Sequence, residues 1–180
     1  MEVQLTRKAI RDDVAARIVA AATVAADRVY GFRTVPVPDD KLPAVLVYCS
    51  SGNGKTSRGS PIVRWSVDLA VECVTTGASD EAMGDAVDDF AEAVETALML
   101  DDEWIGQFEA VPTLTYDVGT SIDGNRRLAC VKLVFSLQFS RVYTASIEDA
   151  SDLSTVELEV DSIDPVGEYA PTATHTLEAP

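Results

Sequence analysis

The stretch most suggestive of chemistry is SSGNGKTS at residues 50–57, because a loop that cradles nucleotide phosphates also follows a strand and ends in a pattern like Gly54, Lys55, Thr56. Two requirements of that chemistry are missing. Cys49 stands where the first glycine belongs, and Pro61 with a strand-like run comes next, so no helix N-terminus is available to receive a phosphate. The segment instead predicts a polar hairpin loop in which Lys55 and Arg58 become ordered only on contact with another surface.

Nucleophilic and metal chemistry meet similar obstacles. A serine or cysteine nucleophile usually needs a positioned histidine, and the one histidine, His175, falls in a C-terminal stretch without periodicity. Asp85, Asp88, Asp89, Glu92 and Glu95 recur at helical spacing, as a solvated helix face does, and Asp101, Asp102 and Glu103 read as a loop. Cys49, Cys73 and Cys130 are odd in number and embedded in apolar sequence, which predicts buried free thiols. The expectation is a protein that is not an enzyme, with no catalytic, metal or cofactor residues.

Charge narrows the partners. The 180 residues carry 14 Lys and Arg against 30 Asp and Glu, a formal charge of −16. Such a surface repels nucleic-acid phosphates and anionic lipid headgroups. The N-terminal MEVQLTRKAIRDD lacks the basic-then-apolar order of a signal peptide, which predicts a cytosolic chain with no membrane association.

The elements that must position these residues follow from periodicity. Ile10, Val14, Ile18, Ala21, Ala25 and Val29 form one apolar stripe, which predicts a long helix from Thr6 to Tyr30, stopped by Gly31. Arg7, Lys8, Arg11 and Arg17 on its other faces are candidate interface residues, with pairing to Asp12 and Asp13 as the alternative. Pro43–Ser50 reads as a strand, and Pro61–Thr76 as a longer one with Val63, Trp65, Val67, Leu69, Val71 and Cys73 on one face. Ser79 is placed to cap a second helix whose buried stripe is Met83, Val87, Phe90, Val94 and Ala97. Strands over Glu109–Gly119 and Leu128–Tyr143 follow, joined through SIDGNRR. The order predicts an α+β fold: a mixed or antiparallel sheet of about four strands with two helices packed on one face, plus a C-terminal extended arm.

A boundary is expected near Tyr143. No Lys or Arg follows Arg141, and residues 144–180 carry nine acids. This divides the chain into a body, 1–143, and an acidic arm, 144–180, with one strand at about 152–161 and a mobile tail. The strand alternates Leu153 or Val156, Leu158 and Val160 with acids, and no hairpin partner is evident beyond it. It therefore returns to its own sheet edge or adds itself to a neighbouring chain.

Over residues 5–143 the chain resembles the tail terminator proteins of long-tailed bacteriophages, also called tail completion or neck proteins. The resemblance rests on the opening helix closing in DRVYGFR, the strand LPAVLVY, and the pairing of VPTLTYDV with RRLACVKLVFSLQFSRVY, while DLSTVELEVD is similar to C-terminal arms of such virion proteins. It implies a virion protein, assembled in the host cytoplasm, that forms a homohexameric ring on the tail tube protein, ends tube polymerisation and meets the head-side connector or adaptor. On that reading Arg7, Lys8, Arg11, Arg17, Arg58, Leu153, Val156, Leu158 and Val160 serve interfaces. Asp85, Asp88, Asp89 and Glu92 line a lumen that DNA crosses without specific binding. A head-closure or adaptor protein of the neck is the alternative, followed by a small nucleotide-binding enzyme.

Overall fold

Thr6 opens the first helix by accepting a hydrogen bond on Oγ1 from the Ala9 amide at 3.1 Å, satisfying one of the donors a helix leaves free at its start. In the computed structural model, which describes residues 5–33, 35–77, 79–123, 126–143, 155–160 and 173–178, helix α1 spans Arg7–Ala20 and buries Ile10, Val14 and Ile18. It stops well short of the expected Tyr30. Ala22 and Ala26 both take the left-handed conformation, φ 51°, and their amides bond to the carbonyls of Val19 and Thr23 in tight turns. These turns carry Ala25 into the core and lead Val29–Tyr30 into the sheet as β1. The apolar spacing at Ala25 and Val29 thus reports burial and not a continuing helix, and Gly31 terminates nothing helical.

Two long strands follow, β2 (Ala44–Thr56) and β3 (Ile62–Thr76), paired antiparallel from Ala44↔Val74 to Thr56↔Val63 with a bulge between Cys49 and Ser51. The expected loop at 50–57 is therefore mostly strand. Its glycines answer a packing need. A Cβ on Gly54 would sit 2.9 Å from Val63 Cγ1 and 3.3 Å from the Trp65 ring, so the bare backbone is what lets these side chains lie across it. The remaining turn spans residues 57–61.

Helix α2 (Asp80–Met99) is capped as expected: Ser79 Oγ accepts from the Ala82 amide at 3.3 Å. Asp101 then caps a short helix, α3 (Asp102–Ile105), where a loop was expected; its Oδ1 accepts from the Trp104 amide at 3.0 Å. Strands β4 (Ala110–Asp123) and β5 (Arg126–Val142) pair antiparallel out to Asp123↔Arg126, well into the segment expected to be a turn. The body is an α+β fold built on a five-stranded mixed sheet in the order β1-β2-β3-β5-β4, with β1 parallel to β2 and the rest antiparallel. The fifth strand, β1, is too short to register as a strand pattern in sequence.

One sheet face is covered by the helices. Val45 and Val47 of β2, Leu69 and Val71 of β3, and Leu133, Phe135 and Leu137 of β5 pack there against Ile10, Val14 and Ile18 of α1 and Val87, Phe90, Val94 and Leu98 of α2. Trp104 of α3 is fully buried and meets Phe108 and Phe135 edge-on, with ring centroids at 5.3 and 5.7 Å.

The chain divides into two compact units, Met1–Tyr143 and Thr144–Pro180. In the second, β6 (Thr155–Val160) pairs antiparallel with β7 (Ala173–Glu178). The expected lone strand thus has a partner, formed by a stretch expected to be mobile. The TATHTLE run holds too few apolar residues to announce a strand, yet its Thr-rich alternation suits one.

Trp104→Ala should lower unfolding free energy by about 3–5 kcal/mol, read as a shifted denaturant midpoint, because a large side chain is deleted from a closed aromatic cluster.

Candidate functional site

The residues singled out from sequence fall on four surfaces. On α1, Arg7 and Lys8 are solvent-exposed. Arg11 donates to its neighbour Asp12 at 2.8 Å. Arg17 is committed within the body: Nε donates to Asp13 at 3.0 Å, Nη1 to Asp101, and Glu103 lies 3.9 Å away. Gln107 adds a bond to Asp13 at 3.1 Å. Arg17 therefore ties α1 to the start of α3 and is not a free interface residue. The signal was present in sequence as Asp13 four residues before Arg17; the contribution of Asp101 needed the fold.

On α2, Asp85, Asp88, Asp89 and Glu92 all face solvent, and among the described residues none makes an ion pair. Asp89 and Glu92 stand at one side of a groove that Ala22, Val24, Ala93 and Ala97 also line. Lys55 and Arg58 sit exposed at the far end of the β2–β3 hairpin. Leu153 lies outside the described residues. Val156, Leu158 and Val160 occupy alternate positions of β6, opposite Leu177, His175 and Ala173, which puts these six positions on one face of the hairpin. His175 thus belongs to a strand pairing.

The second sheet face, away from the helices, carries a polar cluster that sequence reading missed. Tyr48 Oη donates to Glu72, Lys132 Nζ lies 3.6 Å from the same carboxylate, and that ammonium sits 5.4 Å from the Tyr48 ring centroid. Burial, followed by the bond to Glu72, raises the Tyr48 phenol above its ordinary value, and contact with Tyr48 raises the Lys132 ammonium. These shifts favour the neutral phenol of Tyr48 and the charged ammonium of Lys132, and the cluster links β2, β3 and β5 across the sheet. Nearby, Ser51 and Ser136 donate to the two oxygens of Asp68 at 2.5 and 2.7 Å and hold its carboxyl below the usual range. The signal lay in the residues alternating with the apolar face of β3, Asp68 and Glu72.

The thiols are free. Burial pushes Cys73 up to about 12 and Cys130 up to about 11, which leaves both protonated and poorly nucleophilic at neutral pH. Cys73 lies on the core face and Cys130, opposite Val74, on the other. Among the described residues no group of three or more His, Cys, Asp or Glu is placed to hold a metal ion. Among the described residues no helix is long and apolar enough to cross a membrane.

No protein-family model matches the chain, and no curated protein matches it. Among solved structures, a chain from the virion of a native gene transfer agent (GTA) particle is similar over 69% of this chain and 84% of its own, at 15% identity and a TM-score of 0.39. That likeness is too slight to bear on function.

Two outcomes are expected of this arrangement. Hydrogen bonds from the Trp104 amide and then Arg17 hold the Asp101 carboxyl below its ordinary value, so its contribution to stability is full above the unfolded-state value of about 4 and is lost as pH falls through the depressed one. Asp101→Asn, which keeps a capping oxygen, should therefore lower the thermal midpoint at pH 7 and converge with the parent in acid. Nucleotides with magnesium should leave the midpoint unmoved in both the parent and Lys55→Ala, because Gly52, Gly54 and Lys55 lie in a paired strand.

Proposed function

We propose that this protein is a structural component of a phage-type virion that caps the tail tube as a homohexameric ring, ends tube polymerisation and presents the joining surface to the head-side connector. The observation that carries this reading is the open architecture of the body. Helices cover one sheet face, the other face is left to solvent, and β2, β3 and β5 run on past the core toward residues 56, 62 and 142. That shape offers extended surfaces in several directions, as a part held by several neighbours needs.

The order of elements along the body also supports the reading. It keeps helix, strand, strand, helix, strand, strand, on which the terminator resemblance rests, with β1 and α3 as short additions. In this account residues 1–143 form the terminator-like domain and residues 144–180 an acidic arm. The β6–β7 hairpin suits an interface. Two strands alone are marginal in water, and Val156, Leu158, Val160 and Leu177 fall at alternating register positions of this pair. Arg7, Lys8, Arg11 and Arg58 serve contacts between subunits or with the tube. Of the acids Asp85, Asp88, Asp89 and Glu92, those that face the channel contribute negative charge that keeps passing DNA from adhering to the lumen.

The test is a tube-elongation assay. Added to polymerising tail tube protein, the chain should halt growth at substoichiometric amounts and leave tubes with blunt, occupied ends. Tubes that lengthen at an unchanged rate contradict the proposal.

A further inference from the structure

Charge is segregated along the body. Residues 49–67 contain no acid and carry Lys55, Arg58 and Arg64, whereas no Lys or Arg occurs from Trp65 to Asn125. Arg64 has a partner, Glu109 at 3.4 Å. Lys55 and Arg58, exposed at the β2–β3 turn, have no ion-pair partner among the described residues. The same turn leaves Ile62 45% exposed. Its chemistry is that of a cationic finger with an apolar shoulder.

A surface of matching chemistry lies on the helical layer. Between the turns after α1 and the outer side of α2 runs an open groove of about 740 Å³, lined by Ala22, Val24, Ala93 and Ala97, with Asp89 and Glu92 beside them. Val24 is 62% exposed there, a large apolar side chain left bare next to two unpaired carboxylates. An apolar floor with an anionic edge suits a peptide turn that brings both methylene groups and positive charge, as the stems and heads of Lys and Arg do.

The finger cannot reach the groove of its own chain. Val24 and Asp89 also line a smaller cleft with Pro43 and Thr75, so the groove lies beside the start of β2, where Ala44 faces Val74. The turn lies beyond Thr56, at the other end of the same strand, a separation of about 40 Å at the ordinary strand rise. A finger at one end and its complement at the other, on one rigid sheet, define a head-to-tail contact. Such contacts repeat from copy to copy and close into a ring when the rotation permits.

We infer that the β2–β3 turn of each copy, through Lys55 and Arg58, seats in the groove beside Asp89 and Glu92 of the next copy of this chain. The inference rests on the ring reading above and names the surfaces that build the ring. It assigns Asp89 and Glu92 to the contact between copies and leaves Asp85 and Asp88 for the lumen.

The experiment is a charge exchange on the full chain, read as molar mass by light scattering at low salt, with circular dichroism melts to confirm folding. The parent should form a multi-chain species that dissociates as salt screens exposed charge. Lys55→Glu with Arg58→Glu, and Asp89→Lys with Glu92→Lys, should each give the mass of one chain. Mixed one to one, the two variants should regain the parental mass, because each then offers a finger opposite in sign to the other's groove. A parent that stays at one-chain mass at millimolar concentration, a folded variant that keeps the parental mass alone, or a mixture that remains unassembled would each overturn the inference. Tube capping that persists when either exchange leaves the mass unchanged retains the functional reading and removes this contact. Loss of capping with the exchange pattern intact retains the contact and removes the reading.

Discussion

The antiparallel pairing of β3 with β5 is the constraint on which the rest depends. It runs without interruption from Ile62↔Val142 to Thr76↔Leu128, the whole length of β3. Because side chains alternate across a strand, this single register puts Val67, Leu69, Val71 and Cys73 beside Leu137, Phe135, Leu133 and Val131 on one face. A slip of one residue would turn that entire set toward water and bring Asp68 and Glu72 into the core. With each fully buried aliphatic or aromatic side chain contributing about 1.5–3 kcal/mol relative to exposure, the helices have a strong reason to accept only this face.

The two sheet faces then acquire different tasks. The covered face supplies cohesion, closed at one end by Trp104 and secured by Arg17, which draws Asp13 and Asp101 together. The open face carries the Tyr48–Glu72–Lys132 cluster and the Asp68 bonds, polar links between adjacent strands that stiffen a surface without a helical layer. Rigidity matters for a ring component, since an error in the angle between neighbours accumulates around the circle. In the proposed ring, a stiff long sheet would transmit the position of its far turn to the next subunit with little slack.

Much of this fold was legible in the sequence because it follows from alternation and capping. The core face of β3, the Ser79 cap and the buried stripe of α2 from Met83 to Val94 all report strong local patterns that tertiary contacts reinforce, while at the end of that stripe Leu98 is buried in place of the expected Ala97. The failures have physical causes. Ala25 and Val29 kept helical spacing because both are buried or half-buried, although the helix had already ended at Ala20, ahead of the left-handed turns at Ala22 and Ala26. Gly52 and Gly54 resembled a loop because glycine is common in turns, whereas here it makes room for Val63, Val67 and Trp65 across the strand pair. Among the candidate interface residues, Arg17 had Asp13 as a partner legible in the sequence, whereas its bond to Asp101, 84 residues away, needed the fold. The Asp89 and Glu92 groove was invisible because Val24 and Ala22 reach it only through the turns after α1.

The central claim is that this chain acts as a member of a ring on the end of a tube. Electron cryomicroscopy of tail tubes incubated with the protein tests it most directly. The account predicts added density at one end only, resolved as six copies around an open channel, with each β2–β3 turn lying against the helical layer of its neighbour. Tube ends without added density, or copies scattered along the tube wall, would contradict it.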